Sequence, residues 1–230
     1  MMVSAENDSR RSGTIWTLGL DNSSPMITPL VSATFCRVES ESAPELAEAM
    51  SDVPLTEIEK RFETGRRCYA AQVDGNPARA IRDIRRNERG KLAAYGWVSF
   101  DEEFIGELNL RLRLLPGEAY VWNCATLPAY RQKYLYSALL AYIVRELRAE
   151  QLSRVWIGAD LGNIPSQRGI ARAGFTCVAD LVVARVLTLR QVWVQGRPDV
   201  PDHLVAEARR VFLNDRDKVW QSVLNSALSG

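Results

Sequence analysis

The residues best suited to chemistry lie in the run Leu127-Pro128-Ala129-Tyr130-Arg131-Gln132-Lys133-Tyr134-Leu135-Tyr136-Ser137. A segment of alternating side chains precedes this run and a strongly helical period follows it, so it reads as a turn that opens a helix. The first N–H groups of a helix lack intrahelical partners, and the helix dipole favours negative charge beside them. Such a turn suits an anion, pyrophosphate included. Arg131 and Lys133 add positive charge at the same place. Taken alone, the pattern fits basic surface residues beside a helix start equally well.

Two other groupings carry less. Arg79, Arg82, Arg85, Arg86 and Arg89 crowd the segment from Asn76 to Gly90, a spacing that suits phosphate, nucleic acid or an acidic partner. Asp83 and Glu88 dilute that charge and no stacking aromatics are interleaved, so a solvated loop or short helix accounts for it better. Cys36, Cys68, Cys124 and Cys177 stand far apart without a CxxC pair, and the single histidine, His203, lies near the C-terminus. These argue against zinc and against a Cys–His nucleophile at Cys124, which reads as a packed strand thiol.

The elements that must position the turn follow from periodicity. Glu118 to Leu127 alternates, Tyr120, Trp122, Cys124 and Thr126 against Val121, Asn123 and Ala125, and reads as a strand ended by Pro128. Leu135, Leu139, Ile143 and Leu147 recur every fourth residue, with Leu140 and Val144 widening the stripe, which predicts an amphipathic helix. Arg154 to Asp160 is a compact strand, and Asn163 to Ala173 a helix stopped by Gly174. Strand, helix and strand in this order require a parallel pair. Upstream, the sequence predicts a strand at Ala33 to Val38, helices over Glu45 to Met50 and Leu55 to Phe62, and strands over Cys68 to Val73 and Lys91 to Phe100. Downstream it predicts strands over Phe175 to Ala179 and Leu181 to Val194, a helix capped by Asp202, and a last segment bearing Trp220, Val223, Leu224 and Leu228.

The order of these elements gives the turn its meaning. At Arg131, Tyr134 and Tyr136 the chain resembles the GNAT superfamily of acyl-CoA N-acyltransferases, whose turn carries Gln or Arg, two variable residues, Gly, one variable residue, then Gly or Ala. Asn163-Ile164-Pro165-Ser166 and Ala173-Gly174-Phe175 resemble the same family's fourth-helix motif. The resemblance covers the element order from about Thr34 to Val194.

That resemblance implies an α/β fold with a GNAT-like central mixed sheet flanked by helices and followed by a C-terminal helical appendage. It implies an arm at residues 1–26, an acyltransferase domain at 27–195, and a linker with helices at 196–230. It implies acetyl-CoA as co-substrate and no metal, with the donor held by Thr126, Leu127, Arg131, Gln132, Lys133, Tyr134, Leu135, Tyr136, Ser137 and Asn163. The implied reaction is direct attack of a primary amine on the thioester, with the Cys124 amide polarising the carbonyl and Glu118, Asp101 or Glu102 as base. The family's helix-borne tyrosine acid corresponds to Ile170 here, leaving Tyr134 as a replacement. Two departures are plain: tyrosine stands at both glycine positions, and a ring at Tyr134 can crowd a phosphate.

The bulk numbers exclude little else. A chain of 230 residues with 47% hydrophobic and 25% charged residues is ordinary for a globular protein. A formal net charge of +1 argues against a globally electrostatic nucleic-acid or membrane binder. No signal segment and no apolar run long enough to span a bilayer are present, and a cytoplasmic protein with reduced thiols is expected. The acceptor is expected to be an amine on a small molecule or protein, and the appendage to pack in cis or form a homodimer contact. The alternative is a non-catalytic GNAT-like binding or oligomerisation module.

Overall fold

The computed structural model describes residues 11–21, 25–73, 90–106, 110–186, 189–214 and 217–218. The elements run β1 (Arg11–Gly19), β2 (Ala33–Val38), α1 (Ala43–Ala49), α2 (Leu55–Glu63), β3 (Arg67–Val73), β4 (Lys91–Ser99), β5 (Glu102–Ile105) and β6 (Leu110–Arg113). They continue with β7 (Glu118–Thr126), α3 (Leu135–Ala149), β8 (Arg154–Asp160), α4 (Ile164–Arg172), β9 (Thr176–Val186), β10 (Leu189–Gly196) and α5 (Asp202–Phe212). Eight strands form one sheet in the order β10-β9-β1-β8-β7-β4-β3-β2, and β5 and β6 form a separate hairpin. The β7–β8 pair is parallel, as the strand–helix–strand pattern requires, while its neighbours in the sheet pair antiparallel. The fold is thus a mixed α/β sheet with helices on both faces.

Each helix is held by its apolar stripe. Leu135, Leu139, Leu140, Ile143, Val144 and Leu147 of α3 are buried against Ala119, Val121, Val155 and Ile157 of the central strands. Each such side chain contributes about 1.5–3 kcal/mol of burial, far more than helix propensity does. On the opposite face α5 buries Ala208, Val211 and Phe212 against Ile15, Tyr120 and Trp156. Beside it, α1 and α2 bury Leu46 and Ile58 against Trp97 and Tyr95.

Three expectations need correction. The segment read as an arm outside the domain contains β1, which pairs with β8 on one edge and β9 on the other. Its residues Ile15, Trp16 and Leu18 are buried, and an interior strand covered on both faces shows no alternation to betray it among polar neighbours. The run Leu181 to Val194 is two strands, because β9 extends to Val186 and pairs with β10 from Leu189 onward. Asp202 is the first helical residue and Pro201 the cap position, with no side-chain cap bond. The hairpin β5–β6 carried no expectation. The arginine-rich connection and the segment around Trp220 lie outside the described residues.

Candidate active site

The central parallel pair comes apart. Pairing of β7 with β8 runs from Glu118↔Arg154 to Val121↔Ile157. Past that point β8 stays with β1 as far as Gly13↔Asp160, while β7 follows β4. The parting coincides with a bulge: Trp122 faces Trp97 and Ala125 faces Tyr95, so Gly96 alone opposes both Asn123 and Cys124. Asn123 takes the left-handed conformation such an extra residue needs, with φ 43°. Gly96 is required beneath it, because a Cβ there would stand 2.7 Å from Cys124 Sγ. The extra residue also changes which face follows. Trp122 and Ala125 pack with the α1–α2 side and Cys124 with the α3 side, correcting the simple alternation expected for this strand.

A cavity of about 460 Å³ occupies the opening, with Trp122, Asn123 and Cys124 on one wall and Gly158, Ala159 and Asp160 on the other. Its lining draws on both faces of the sheet: Tyr136, Asn163 and Ser166 from the α3–α4 side, and Arg61, Phe104 and Phe212 from the opposite side.

The expected anion turn lies beyond the end of β7. Gln132 and Tyr134 have φ of 62° and 59°, and alternating left-handed residues turn backbone N–H groups toward a common concavity. Helix α3 then starts at Leu135 with no side-chain cap and no acidic residue in its first turn. The N–H groups of its first turn are the donors left for an anion. Arg131 is exposed and donates from Nε to the Thr126 carbonyl at 3.3 Å, while Lys133 Nζ lies 5.6 Å from the Tyr130 ring centroid. Leu127 N–H donates to the Ala93 carbonyl, so Leu127 anchors the turn to β4. Leu135 and Ser137 bury their side chains and offer only backbone to the turn. Thr126 Oγ1 is buried with no hydrogen-bond partner among the described residues, and Thr126 does not line the cavity.

The two tyrosines at glycine positions behave differently. Tyr134 adopts the backbone conformation for which glycine is usual, at a cost of about 1–2 kcal/mol. Its ring lies in contact with the Arg172 guanidinium at 4.3 Å, away from the cavity lining. Tyr136 points inward. Its ring lies on Gly169 of α4, where a Cβ would come within 2.5 Å of Tyr136 Cδ1, and its hydroxyl is 3.2 Å from Ser166 Oγ. Burial pushes its phenol pKa up, so the group stays protonated. Asn163 caps α4 by accepting from Ser166 N–H at 3.1 Å and also lines the cavity. Ile170 is fully buried in the core. Cys124 donates its thiol to the Trp122 carbonyl, and burial pushes its pKa up to about 12, which suits a packed neutral thiol and not a nucleophile.

The expected bases are elsewhere. Glu118 opens β7, about 26 Å of extended strand from Thr126. Its carboxylate accepts from Leu115 N–H at 2.8 Å and from Arg210 Nη2 at 2.5 Å, so the structure uses it to tie α5 to the sheet. Asp101 is exposed in a turn, Glu102 pairs with Arg111 on the hairpin, and neither lines the cavity. Among the described residues the cavity's carboxylate is Asp160, at the end of β8. Sequence reasoning passed over it as a strand terminus. It also passed over Arg61, although its position three residues after Ile58 already put it on the apolar face of α2.

The family model described as the acetyltransferase (GNAT) family matches residues 51–175. No curated protein matches the chain. Among solved structures, one from the GNAT family of Novosphingobium aromaticivorans DSM 12444 aligns at 16% identity and TM-score 0.49, over 76% of this chain and 63% of its own. A glucosamine N-acetyltransferase region of a fungal multi-domain β-N-acetylglucosaminidase aligns at 9% identity and TM-score 0.53, over 75% of this chain and 20% of its own. The ribosomal-protein-S18-alanine N-acetyltransferase of Escherichia coli aligns at 18% identity and TM-score 0.43, over 63% and 78%. The chain spans 63% and 56% of the length of the first two GNAT structures it matches.

Proposed function

The chain belongs to the GNAT acetyltransferase family, and on that premise we propose that it moves an acetyl group from acetyl-CoA to a primary amine of an acceptor. The observation that carries the proposal is the opened β7–β8 pair, with the uncapped start of α3 beyond its end and one cavity lined from both faces of the sheet. The residues present fit the donor: the first turn of α3 is free of side-chain caps and acids, and a buried Thr126 hydroxyl lacks a partner among the described residues.

In this reading the pyrophosphate lies at Arg131 to Ser137, with Lys133 and Arg131 adding charge. The pantetheine follows the free edge of β7 past Cys124 to Thr126, making strand-like hydrogen bonds. The amine enters from the side of Trp122 and Phe104. Its nitrogen attacks the thioester carbonyl carbon; the C–N bond forms, the C–S bond breaks, and the sulfur leaves as thiolate. The Cys124 amide on the bulged edge polarises the carbonyl oxygen. Asp160 replaces Glu118 as the group that takes the amine proton, directly or through water. Tyr136, neutral and inside the cavity, donates a hydrogen bond to the departing sulfur; its raised pKa fits a donor that keeps its proton. We place this reaction in the cytoplasm.

Calorimetric titration of acetyl-CoA and CoA into the purified chain, with Arg131→Ala as control, tests the donor site. Saturable binding that weakens roughly tenfold or more in the variant, as loss of a charge-assisted phosphate contact predicts, supports it. The second reading, a non-catalytic module, is favoured by the Tyr136 ring, which takes up part of the opening. Absence of CoA binding to well-folded protein establishes that reading instead.

A further inference from the structure

The cavity holds a buried cation that nothing in the proposed transfer uses. Arg61 of α2 lines the cavity, its side chain is 10% exposed, and its Nη1 is buried without a hydrogen-bond partner among the described residues. Its guanidinium lies 4.7 Å from the Trp122 ring centroid and 5.2 Å from that of Trp97. Trp122 is itself fixed, donating from Nε1 to Ser99 Oγ at 2.8 Å. Among the described residues Arg61 pairs with Glu57, whose Oε1 is 3.5 Å from Nε, at the edge of hydrogen-bonding range, and which is itself 48% exposed. Two aromatic neighbours compensate part of the charge, but a buried N–H of a guanidinium left unpaired is costly. A ligand in the cavity whose acceptor oxygens engage the guanidinium, with the side chain turning to present Nη1, removes that cost.

We propose that the acceptor is an amino carboxylate, held through its carboxylate by Arg61; this rests on the acetyl-transfer reading above and names the substrate class of that site. Among the described residues the cavity lining carries one cation, Arg61, and one carboxylate, Asp160. That pair matches a zwitterion with its carboxylate at Arg61 and its amine on the Asp160 side. The lining also holds Trp122, Tyr120, Phe104 and Ile105, which offer apolar and aromatic contact and suit an acceptor with an apolar body. A monoanion fits better than a phosphate ester. Glu57 already offsets part of the single guanidinium charge, and no second cation lines the cavity among the described residues.

The test compares the protein amino acids and simple β- and γ-amino acids with their carboxamides. Acetyl transfer to each is followed by thiol release, and binding of the N-acetyl acids and N-acetyl amides by calorimetry without acetyl-CoA. Wild type is expected to favour the best acid over its amide by roughly 10–100-fold in kcat/KM, as loss of a charge-assisted hydrogen bond predicts. Arg61→Met keeps the buried stem and is expected to bring that ratio to within about threefold. Arg61→Lys, which retains the charge, is expected to recover part of the preference. Thermal unfolding of both variants separates loss of selectivity from loss of folding. The proposal is overturned if acid and amide are equal in wild type, if the preference survives Arg61→Met, or if no member of the panel is acetylated or binds in a carboxylate-dependent way. Carboxylate-dependent binding without acetyl transfer refutes the transfer reading and leaves the Arg61 site standing; transfer to acids and amides alike does the reverse.

Discussion

Replacing Glu118 by Gln separates two roles for a residue that the sequence nominated as a base. The side chain is 7% exposed and uses both oxygens, one for Leu115 N–H and one for Arg210. An amide retains one acceptor oxygen, so one bond survives while the other oxygen becomes an NH2 facing a donor. A hydrogen bond to a charged group contributes about 1.5–3 kcal/mol. Arg210 is 30% exposed and regains water when released, so the lower part of that range applies, about 2 kcal/mol. For a chain of this length that lowers Tm by roughly 4–8 °C. Activity at 25 °C, where the variant is still folded, should stay within about twofold, since Glu118 stands at the opposite end of β7 from the opening. Thermal unfolding by circular dichroism and acetyl-transfer kinetics on the same preparation provide the assay. An unchanged Tm together with a rate loss of about 100-fold or more, the size expected for a missing general base, would refute the assignment of Glu118 to structure and restore it to chemistry.

Tyr134→Gly should relieve about 1–2 kcal/mol of left-handed strain and lose a contact with Arg172 of about 0.5–1 kcal/mol. Tm should therefore move little and CoA affinity, read by calorimetry, should change less than about threefold; a tenfold gain would show that the ring obstructs the turn. Gly169→Ala drives a methyl to within 2.5 Å of the Tyr136 ring. Its overpacking cost of about 1–3 kcal/mol exceeds the roughly 1 kcal/mol gained from helix propensity, and CoA binding should fall with it; an undisturbed affinity would place the ring outside the donor path. For Cys124, the native thiol titrates near 12 and the unfolded one near 9.0. The unfolded state therefore sheds its proton first as pH rises, so the stability contribution is complete below about pH 9 and declines by about 1.4 kcal/mol per pH unit toward 12. Urea midpoints at pH 8 and pH 10 should differ in wild type, and the difference should shrink in Cys124→Ala; equal slopes in the two proteins would contradict this.

What the sequence disclosed was what periodicity can disclose. The fourth-residue repeat of α3 names its buried face outright, and the strand–helix–strand order fixes the parallel pair that later parts. What it hid depends on position in the sheet. Within β1 the stretch Gly13–Leu18 is buried throughout, flanked by β8 and β9 and covered on its surfaces, so no period marks it. The bulge at Asn123 was equally silent, since one inserted residue breaks the period of two without changing composition, yet it decides which face Cys124 joins. The surroundings of the carboxylates are hidden for the same reason: a carboxylate at a strand end reads alike whether it meets an arginine of a distant helix, as Glu118 does, or an open cavity, as Asp160 does.

The tyrosines at the two glycine positions show how a turn can be kept while its residues change. A glycine there supplies positive φ and closeness of backbone to ligand. At Tyr134 the first of these is kept at a cost, and the ring meets Arg172 and does not line the cavity. At Tyr136 the requirement for space has moved to the partner helix: Gly169 lacks the side chain that would collide with the ring. The hydroxyl thereby reaches Ser166 inside the opening from α3, whereas the corresponding place on α4 is taken by Ile170, which belongs to the core. One substitution pattern that weakens the resemblance at the turn therefore also supplies the hydroxyl that the helix lacks. Tyr136→Phe separates those effects. It leaves the ring on Gly169 and removes only the hydrogen bond, so CoA affinity should hold within about twofold while kcat falls, with the largest loss for thioesters of poor leaving thiols. A fall in affinity with unchanged kcat would make the hydroxyl a binding group and leave the departing sulfur to water.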